Sequence, residues 1–236
     1  MANSYFRFKQ FTIHQERCAM KVGTDGCLLG AWVDLSQSQR ILDVGCGSGL
    51  IAIMTAQRCP GSTITGIEID NEAASQAAEN AESSPWAERI EIICEDFLKF
   101  TPEQQFDTIV SNPPYFSNSL KCPNDKRSKA RHDDSLPCNE FLTHSNKLLS
   151  PNGALSVIIP IEQQETWLTE AEKCGYRPSR VTHVHTRREL APKRVLIELR
   201  KGTPEECRRD DFKLEESPGV FSAEATEMLS PFYLKL

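Results

Sequence analysis

The sequence has no apolar run long enough to cross a bilayer, and its first residues lack the charged-then-apolar layout of a secretion signal. Its nine cysteines are odd in number and have no paired spacing, which indicates neither a disulfide framework nor a zinc site. Of its 236 residues, 39% are hydrophobic and 25% charged, as in a globular protein with a sizeable core. We therefore expect one domain in the reducing cytoplasm, with no membrane segment, metal ion or obligate protein partner.

Two common nucleotide-binding patterns are also absent. A strand-like segment at residues 40–44 leads into a D-x-G-x-G-x-G turn formed by Asp43, Gly45, Gly47 and Gly49, which is not the G-x-G-x-x-G of dinucleotide folds. The turn also lacks the Gly-Lys-Ser/Thr of a P-loop, which disfavours nucleoside triphosphates. Its glycines permit a tight turn and let a ligand approach the backbone, facing the N–H groups of a helix over residues 50–59.

The net charge of −6 argues against nucleic-acid binding through the whole surface, but the charge is unevenly distributed. From residue 203 onward, eight acids stand against four bases. Residues 121–132 contain a single acid and five basic residues, namely Lys121, Lys126, Arg127, Lys129 and Arg131. A local basic cluster therefore exists in an acidic chain, within the stretch 116–137, which shows no helix or strand periodicity and is predicted to be a loop.

Acidic residues follow the next two predicted strands. Residues 63–67 end in Glu68, which is placed to accept hydrogen bonds from both ribose hydroxyls of an adenosyl ligand. Glu68 could instead be a solvated charge, and Asp70 competes for the same role. Residues 89–94 end near Asp96 and Phe97, which either accept from an adenine amino group and pack on its ring, or form a capping Asp over a core Phe.

A fourth predicted strand, residues 106–111, ends in Asn112-Pro113-Pro114-Tyr115. The prolines stop the strand and hold Asn112 in an extended conformation at its carboxyl end. The Asn112 side-chain oxygen and the Pro113 carbonyl are two acceptors that suit a planar –NH2 group, and Tyr115 adds a flat face for a planar base or amide. The alternative is a proline-ended strand with an ordinary surface turn.

The remaining segments indicate the fold class. Residues 5–14 are predicted to form two short strands or a hairpin, and Thr24 or Asp25 is predicted to cap a helix running to Trp32. Strands and helices then alternate up to two late strands at 181–186 and 194–200, which form an antiparallel hairpin. This order predicts an α/β fold with one mostly parallel, doubly wound sheet.

These motifs together resemble those of Rossmann-like class I S-adenosylmethionine-dependent methyltransferases. The Asn-Pro-Pro-Tyr turn is similar to that of enzymes that methylate planar exocyclic nitrogens. More narrowly, residues 8–15, 18–26 and 231–234 resemble the bacterial tRNA1(Val) (adenine(37)-N6)-methyltransferase family, a likeness that extends over the whole chain.

The resemblance implies a mostly parallel seven-stranded sheet with a C-terminal antiparallel hairpin. It implies a small N-terminal strand-and-helix extension over residues 1–36 that closes over the cofactor, a core over 37–201 and a tail over 202–236. Binding of S-adenosylmethionine is expected of eight residues: Thr24, Asp43, Gly45, Gly47, Gly49, Glu68, Asp96 and Phe97. Asn112, Pro113 and Tyr115 are the expected catalytic residues, with Asp43 ordering the glycine turn or facing the methionyl amine.

The expected reaction is methylation of N6 of adenine 37 in the anticodon loop of tRNA1(Val). The residues expected to contact this RNA are Phe116, Lys121, Lys126, Arg127, Lys129, Arg131, Arg187, Arg188, Lys193 and Arg194. Three alternatives remain open: a ribosomal RNA guanine-N2 methyltransferase, a protein glutamine-N5 methyltransferase, and a non-catalytic RNA-binding module that holds S-adenosylmethionine.

Overall fold

The computed structural model describes residues 3–113, 136–202 and 206–236. Its strands are β1 (Tyr5–Arg7), β2 (Thr12–His14), β3 (Arg40–Val44), β4 (Thr63–Glu68), β5 (Ile90–Cys94), β6 (Phe106–Ser111), β7 (Leu149–Pro160), β8 (Tyr176–His185), β9 (Arg194–Lys201), β10 (Arg208–Lys213), β11 (Glu215–Ser217) and β12 (Val220–Phe221). Its helices are α1 (Thr24–Trp32), α2 (Leu50–Arg58), α3 (Asn71–Glu82), α4 (Cys138–Leu148), α5 (Gln164–Lys173) and α6 (Ala223–Leu229).

The central sheet has the strand order β10-β8-β9-β7-β6-β3-β4-β5. Only β9 runs antiparallel to its neighbours, so the carboxyl ends of the other seven strands lie at one edge of the sheet. We name this line of carboxyl ends the substrate edge, which is distinct from the two outer strands of the sheet, β10 and β5. The mostly parallel sheet and the antiparallel β8–β9 hairpin confirm the α/β fold predicted from the sequence.

The sheet has eight strands where seven were expected, because β10 adds one from the acidic segment expected to be a tail. Five of the six residues of β10 are charged, and only Phe212 has a buried side chain. Such a sequence has no apolar alternation, so hydrophobic periodicity gave no sign of a strand. β10 pairs in parallel with β8 as an edge strand, where charged side chains are tolerated.

Helices cover both faces of the sheet, as parallel strands require. Successive residues of β3 point to opposite faces. Ile41 joins a core cluster with Leu28 of α1 and Ile53 of α2. Leu42 joins a second cluster with Phe141 of α4 on the other face. No helix within the described ranges is both long enough and apolar enough to span a membrane.

Helix α1 begins differently from the prediction. Its N-cap is Gly23, and no side chain caps it. The prediction that Thr24 or Asp25 caps this helix was therefore wrong. Thr24 is instead the first helical residue, and Asp25 turns toward β9, where its Oδ2 accepts a 2.8 Å hydrogen bond from Arg194 Nε. The Asp25 carboxylate, which the local sequence had suggested as the cap of α1, is used instead in the ion pair with Arg194.

The N-terminal hairpin is joined to the rest of the molecule by the buried Asn80 of α3. Its Oδ1 accepts from the His14 N–H at 2.9 Å, and its Nδ2 donates to the carbonyls of His14 at 2.8 Å and Ser48 at 2.9 Å. One side chain thus fastens β2 to the glycine turn. The C-terminal segment packs on the same hairpin, with the Phe8 and Tyr233 rings 5.7 Å apart.

Candidate active site

The predicted motifs lie side by side at the substrate edge. β3, which leads into the glycine turn, pairs with β4 on one side and with β6 on the other. Glu68 and Asn112, at the tips of these two neighbours, therefore flank the turn. In open α/β sheets, ligands bind beyond the carboxyl ends of the strands, where such groups converge.

The glycine turn leaves open space in front of its backbone. Gly45 and Gly47 have φ angles of +68° and +55°, a region that favours glycine, and a Cβ atom at either position would meet no atom within 4 Å. Gly49 differs, because a Cβ there would lie 3.4 Å from Ala77 of α3. Gly45 and Gly47 thus form a cradle that a ligand can enter, while Gly49 packs against a helix.

The side chain of Asp43 links β3 to the first turn of α2, on either side of the glycine turn. It is fully buried, and its Oδ2 accepts a 2.9 Å hydrogen bond from the Ala52 N–H in the first turn of α2. Within the described residues its Oδ1 has no hydrogen-bond partner. Burial raises the pKa of Asp43 to about 7, against the lowering effect of the Ala52 N–H. The orphaned oxygen leaves capacity for one further donor, as an adenosyl ligand with a methionyl amine would supply.

Glu68 and Asp70, which the sequence could not separate, do different things. The Asp70 side chain accepts from the Ala73 N–H at 2.9 Å and is the N-cap of α3. The half-buried Glu68 faces the cradle, accepting from the Gly47 N–H at 2.9 Å and the Asp70 N–H at 3.0 Å. Each carboxylate oxygen can accept a second hydrogen bond, so Glu68 retains capacity for ribose hydroxyls.

Sequence reasoning missed Ile69, which lies between these two acids. Its side chain is 69% exposed, the largest exposure among the large hydrophobic residues in the described parts of the chain. The sequence signal for this residue was an apolar side chain placed between a strand-end acid and an N-cap. Ile69 places an apolar surface beside Glu68.

Asp96 and Phe97 have the arrangement of a capping Asp over a core Phe. Asp96 Oδ1 accepts from the Leu98 N–H at 3.0 Å. Phe97 is only 6% exposed, and its ring lies 5.3 Å from that of Phe141 and 4.9 Å from that of His144. The Phe97 ring therefore packs in the core, and its contact with adenine stays a prediction, as does that of Asp96.

The turn after β6 is held beside the glycine turn. Ser111, also missed from the sequence, is buried and donates a 2.8 Å hydrogen bond from Oγ to the Val44 carbonyl, at the end of β3. Asn112 and Pro113 follow and are half-buried. A hydroxyl residue closing an apolar strand was the signal for this contact. Seven predicted site residues lie outside the described residues, namely Tyr115, Phe116, Lys121, Lys126, Arg127, Lys129 and Arg131.

The other predicted basic residues lie in the β8–β9 loop, residues 186–193, or just after it, at the substrate edge. Arg188 and Lys193 are exposed, and Arg187 lies 3.6 Å from Glu189. The contact of Arg194 with RNA stays a prediction, and its Nε is paired with Asp25 at 2.8 Å. That pair brings the first turn of α1, with the exposed Thr24, to this edge. In the described ranges no group of three or more His, Cys, Asp or Glu side chains is arranged to hold a metal ion.

Known proteins resemble this chain in sequence and in fold. The family model of the methyltransferase small domain matches residues 21–171. The chain is similar to the tRNA1(Val) (adenine(37)-N6)-methyltransferase of Phocaeicola vulgatus, at 47% identity over 100% of both chains. It is also similar to the enzyme of that name from Aeromonas hydrophila, at 40% identity over 99% of both chains.

Among solved structures, a predicted O-methyltransferase from Agrobacterium tumefaciens, protein Atu636, has a TM-score of 0.68 at 19% identity, over 88% of this chain and 96% of that one. The [4+2]-cyclase SpnF has a TM-score of 0.58 at 16% identity, over 76% and 80%. The fold alone therefore does not define the reaction. The sequence relationship does define the family, and the chain belongs to the tRNA1(Val) (adenine(37)-N6)-methyltransferase family.

Proposed function

We propose that this protein transfers the methyl group of S-adenosylmethionine to N6 of adenine 37 in the anticodon loop of tRNA1(Val). The observation that carries the proposal is the placement of Asn112 beside an open glycine cradle, in a chain 47% identical over its whole length to a relative of that name. The proposal needs neither a metal ion nor a protein partner, and it assigns the reaction to the cytoplasm.

The residues around the cradle suit the cofactor. When bound, S-adenosylmethionine supplies a sulfonium methyl group, which leaves sulfur for the attacking nitrogen. Gly45 and Gly47 would accommodate the methionyl part, and the free Oδ1 of Asp43 could accept a hydrogen bond from its amine. Glu68 would accept from the ribose hydroxyls, and the exposed side chain of Ile69 would cover one face of the adenine.

The N-terminal part, up to residue 36, would close over this cofactor. Two contacts support that placement: Asn80 fastens β2 to the glycine turn through the Ser48 carbonyl, and Asp25 fastens α1 to β9. Thr24, exposed in the first turn of α1, would then be available to contact the ligand.

Asn112 and Pro113 would act on the adenine amine, which is a poor nucleophile because its lone pair is delocalised into the ring. Hydrogen bonds from N6 to the Asn112 side-chain oxygen and the Pro113 carbonyl would hold the nitrogen and favour a geometry in which the lone pair is available. Catalysis then comes mainly from positioning and electrostatics. The methylated nitrogen is acidic and loses its proton to water, so the protein needs no strong base.

The target base must leave its stack to reach Asn112, which costs least in a single-stranded loop. Tyr115 would stack on the extruded base, helped by Phe116. Phosphates on either side would contact basic residues at the substrate edge, such as the exposed Arg188 and Lys193. Affinity for the RNA should then fall steeply as salt is added.

The test is transfer of radiolabelled methyl groups to bulk tRNA from cells that lack this protein. Ribosomal RNA and total protein serve as parallel substrates, and a tRNA1(Val) transcript with guanine at position 37 is the matched control. The proposal expects label in one tRNA, recovered as N6-methyladenosine and absent from the control transcript. Label in ribosomal RNA or in protein glutamine would instead support one of the alternative substrates and contradict the proposal.

A further inference from the structure

The β8–β9 loop is anchored at its base by backbone hydrogen bonds. Leu214 and Glu215, which follow β10, donate to the carbonyls of His185 at 2.9 Å and Thr186 at 2.8 Å. Beyond this base the chain turns through a hydrogen bond from the Leu190 N–H to the Arg187 carbonyl at 3.0 Å. The loop carries the exposed Arg188 and Lys193, so its position determines where these charges stand at the substrate edge.

The side chain of His185 connects this turn to β10. Its Nδ1 lies 2.7 Å from the Leu190 carbonyl oxygen, and its Nε2 lies 2.9 Å from Oδ1 of Asp211. A carbonyl oxygen and an ionised carboxylate can only accept hydrogen bonds. Both contacts are made at once only when both ring nitrogens carry a proton, that is, when His185 is an imidazolium.

Two charged side chains, Asp211 and Arg188, act on the charge of this ring. Burial disfavours the imidazolium, but the Leu190 carbonyl and Asp211 outweigh it, and the net effect raises the pKa of His185. Arg188 of the loop acts in the opposite direction. His183, two residues earlier on β8, lies 3.7 Å from the same Asp211 oxygen, while its Nε2 is 2.7 Å from Oε1 of Gln164 on α5.

We propose that His185 is a positioning residue for RNA binding, which holds the β8–β9 loop by joining Asp211 of β10 to the Leu190 carbonyl. The proposal rests on the proposed function, because it assigns the loop to the RNA substrate. It also gives the acidic β10 a role beside a nucleic-acid site, since Asp211 is engaged by His185 and His183 on the neighbouring strand.

The sign of the pH dependence follows from the raised pKa. The contacts are complete when His185 is protonated, and one of the two is lost as the pH rises through the pKa of the folded protein. The KM for tRNA should therefore rise between about pH 6 and about pH 8, the range in which histidine titrates. The KM for S-adenosylmethionine should change much less, because three strands separate β8 from β3, which leads into the glycine turn.

Two substitutions at this position separate the two contacts. In His185→Asn the amide nitrogen stands near the position of Nδ1, so the contact with Leu190 is kept, whereas His185→Gln places it near Nε2 and keeps the contact with Asp211. We expect His185→Gln to raise the tRNA KM by roughly 2–10-fold at pH 6.5, the effect of one lost hydrogen bond. We expect the same increase for His185→Asn, because it breaks the connection at Asp211, and neither variant should show the pH dependence of the wild type.

Two further variants change Asp211 and the neighbouring histidine, His183. Asp211→Asn should move the midpoint of the pH dependence to lower pH, since the neutral amide no longer favours the imidazolium. His183→Gln is the matched control: His183 faces the same carboxylate but makes no contact with Leu190 in the described structure, and the variant should keep the wild-type tRNA KM.

A second measurement needs no substrate. Trypsin cleavage after Arg188 in the free protein should be faster in His185→Gln than in the wild type and in His183→Gln, compared at each pH. If the wild type methylates no tRNA, the proposed function fails and the RNA role of the loop fails with it. If the wild type is active but His185→Gln keeps its tRNA KM, its pH profile and its trypsin resistance, this proposal alone is overturned. An equal loss of kcat and of affinity for both substrates would also overturn it, since that is the mark of a general structural role.

Discussion

At the scale of single residues, the site depends on a carboxyl group that is buried without a full set of partners. Asp43 uses one oxygen to cap the first turn of α2 and has an orphaned second oxygen. A buried carboxylate with one hydrogen bond is costly to ionise, which is why the pKa of Asp43 is raised to about 7. A donor on a ligand bound at the glycine turn would lower this cost.

The raised pKa predicts how Asp43 affects the stability of the ligand-free protein. Between about pH 4 and about pH 7 the folded state binds more protons at this site than the unfolded state, so stability falls as the pH rises through this range. Asp43→Asn removes the titration. Its free energy of unfolding relative to the wild type should therefore increase between pH 5 and pH 8, by on the order of 2–4 kcal/mol.

Urea unfolding of both proteins at the two pH values measures this change. Any fixed cost of the amide is the same at pH 5 and pH 8, so it cancels in the comparison. A stability difference between variant and wild type that is equal at both pH values would show that Asp43 is ionised with an ordinary pKa in the folded protein.

At the scale of elements, the site depends on how a hairpin, a helix and a turn are joined. Asn80 of α3 makes three hydrogen bonds, two to the backbone of His14 in β2 and one to the Ser48 carbonyl in the glycine turn. Removing it takes this partner from three backbone groups, of which the Ser48 carbonyl belongs to a buried residue. It also frees the turn that forms the cradle.

Asn80→Ala should therefore lower the free energy of unfolding by on the order of 2–4 kcal/mol and weaken binding of S-adenosylmethionine. The matched control is Asn71→Ala, which makes the same change at the exposed first residue of the same helix. Chemical unfolding and calorimetric titration measure the two effects. Wild-type cofactor affinity in a destabilised Asn80→Ala would mean that the hairpin does not order the glycine turn.

The sequence predicted the elements whose signals are local. Apolar runs ending in Asp43, Glu68 and Asn112 predicted parallel strands, and parallel strands place their carboxyl ends at one edge. The prediction failed where contacts with residues far away along the chain determine the structure. β10 is a strand because Asp210 and Asp211 find partners on β8, and Asp25 does not cap α1 because Arg194 binds it. The burial of Phe97 likewise depends on α4, which is more than forty positions away along the chain.

At the scale of the whole molecule, an acidic protein must bind an acidic polymer. The net charge is −6, so attraction to RNA has to come from local groups at the substrate edge. Among the described residues we propose the exposed Arg188 and Lys193 for this role, whereas the acids of β10 are engaged with Arg180, His183 and His185. The acids of β10 are thus paired within the protein, while Arg188 and Lys193 are exposed.

The exposure of Arg188 at the substrate edge predicts that Arg188→Ala weakens tRNA binding through salt-dependent contacts. The slope of log Kd against log salt concentration should fall by roughly 0.7–1, the value for one lost phosphate contact, with no change in affinity for S-adenosylmethionine. Arg209→Ala is the control: it removes the same charge from an exposed residue near the start of β10, at the opposite edge of the sheet. Equal slopes for the two variants would mean that overall charge, and not the loop, attracts the RNA.

In the proposed reaction Asn112 holds the amine that is methylated, and Asn112→Ala removes the side-chain oxygen that would hold it. The control is Asn152→Ala, the same change at an exposed residue in β7. Single-turnover methylation of tRNA1(Val) and calorimetric binding of S-adenosylmethionine are measured on both variants. We predict that Asn112→Ala slows methyl transfer about a hundredfold or more, with cofactor Kd within about twofold of the wild type. Methyl transfer at the wild-type rate in Asn112→Ala would contradict this role of Asn112.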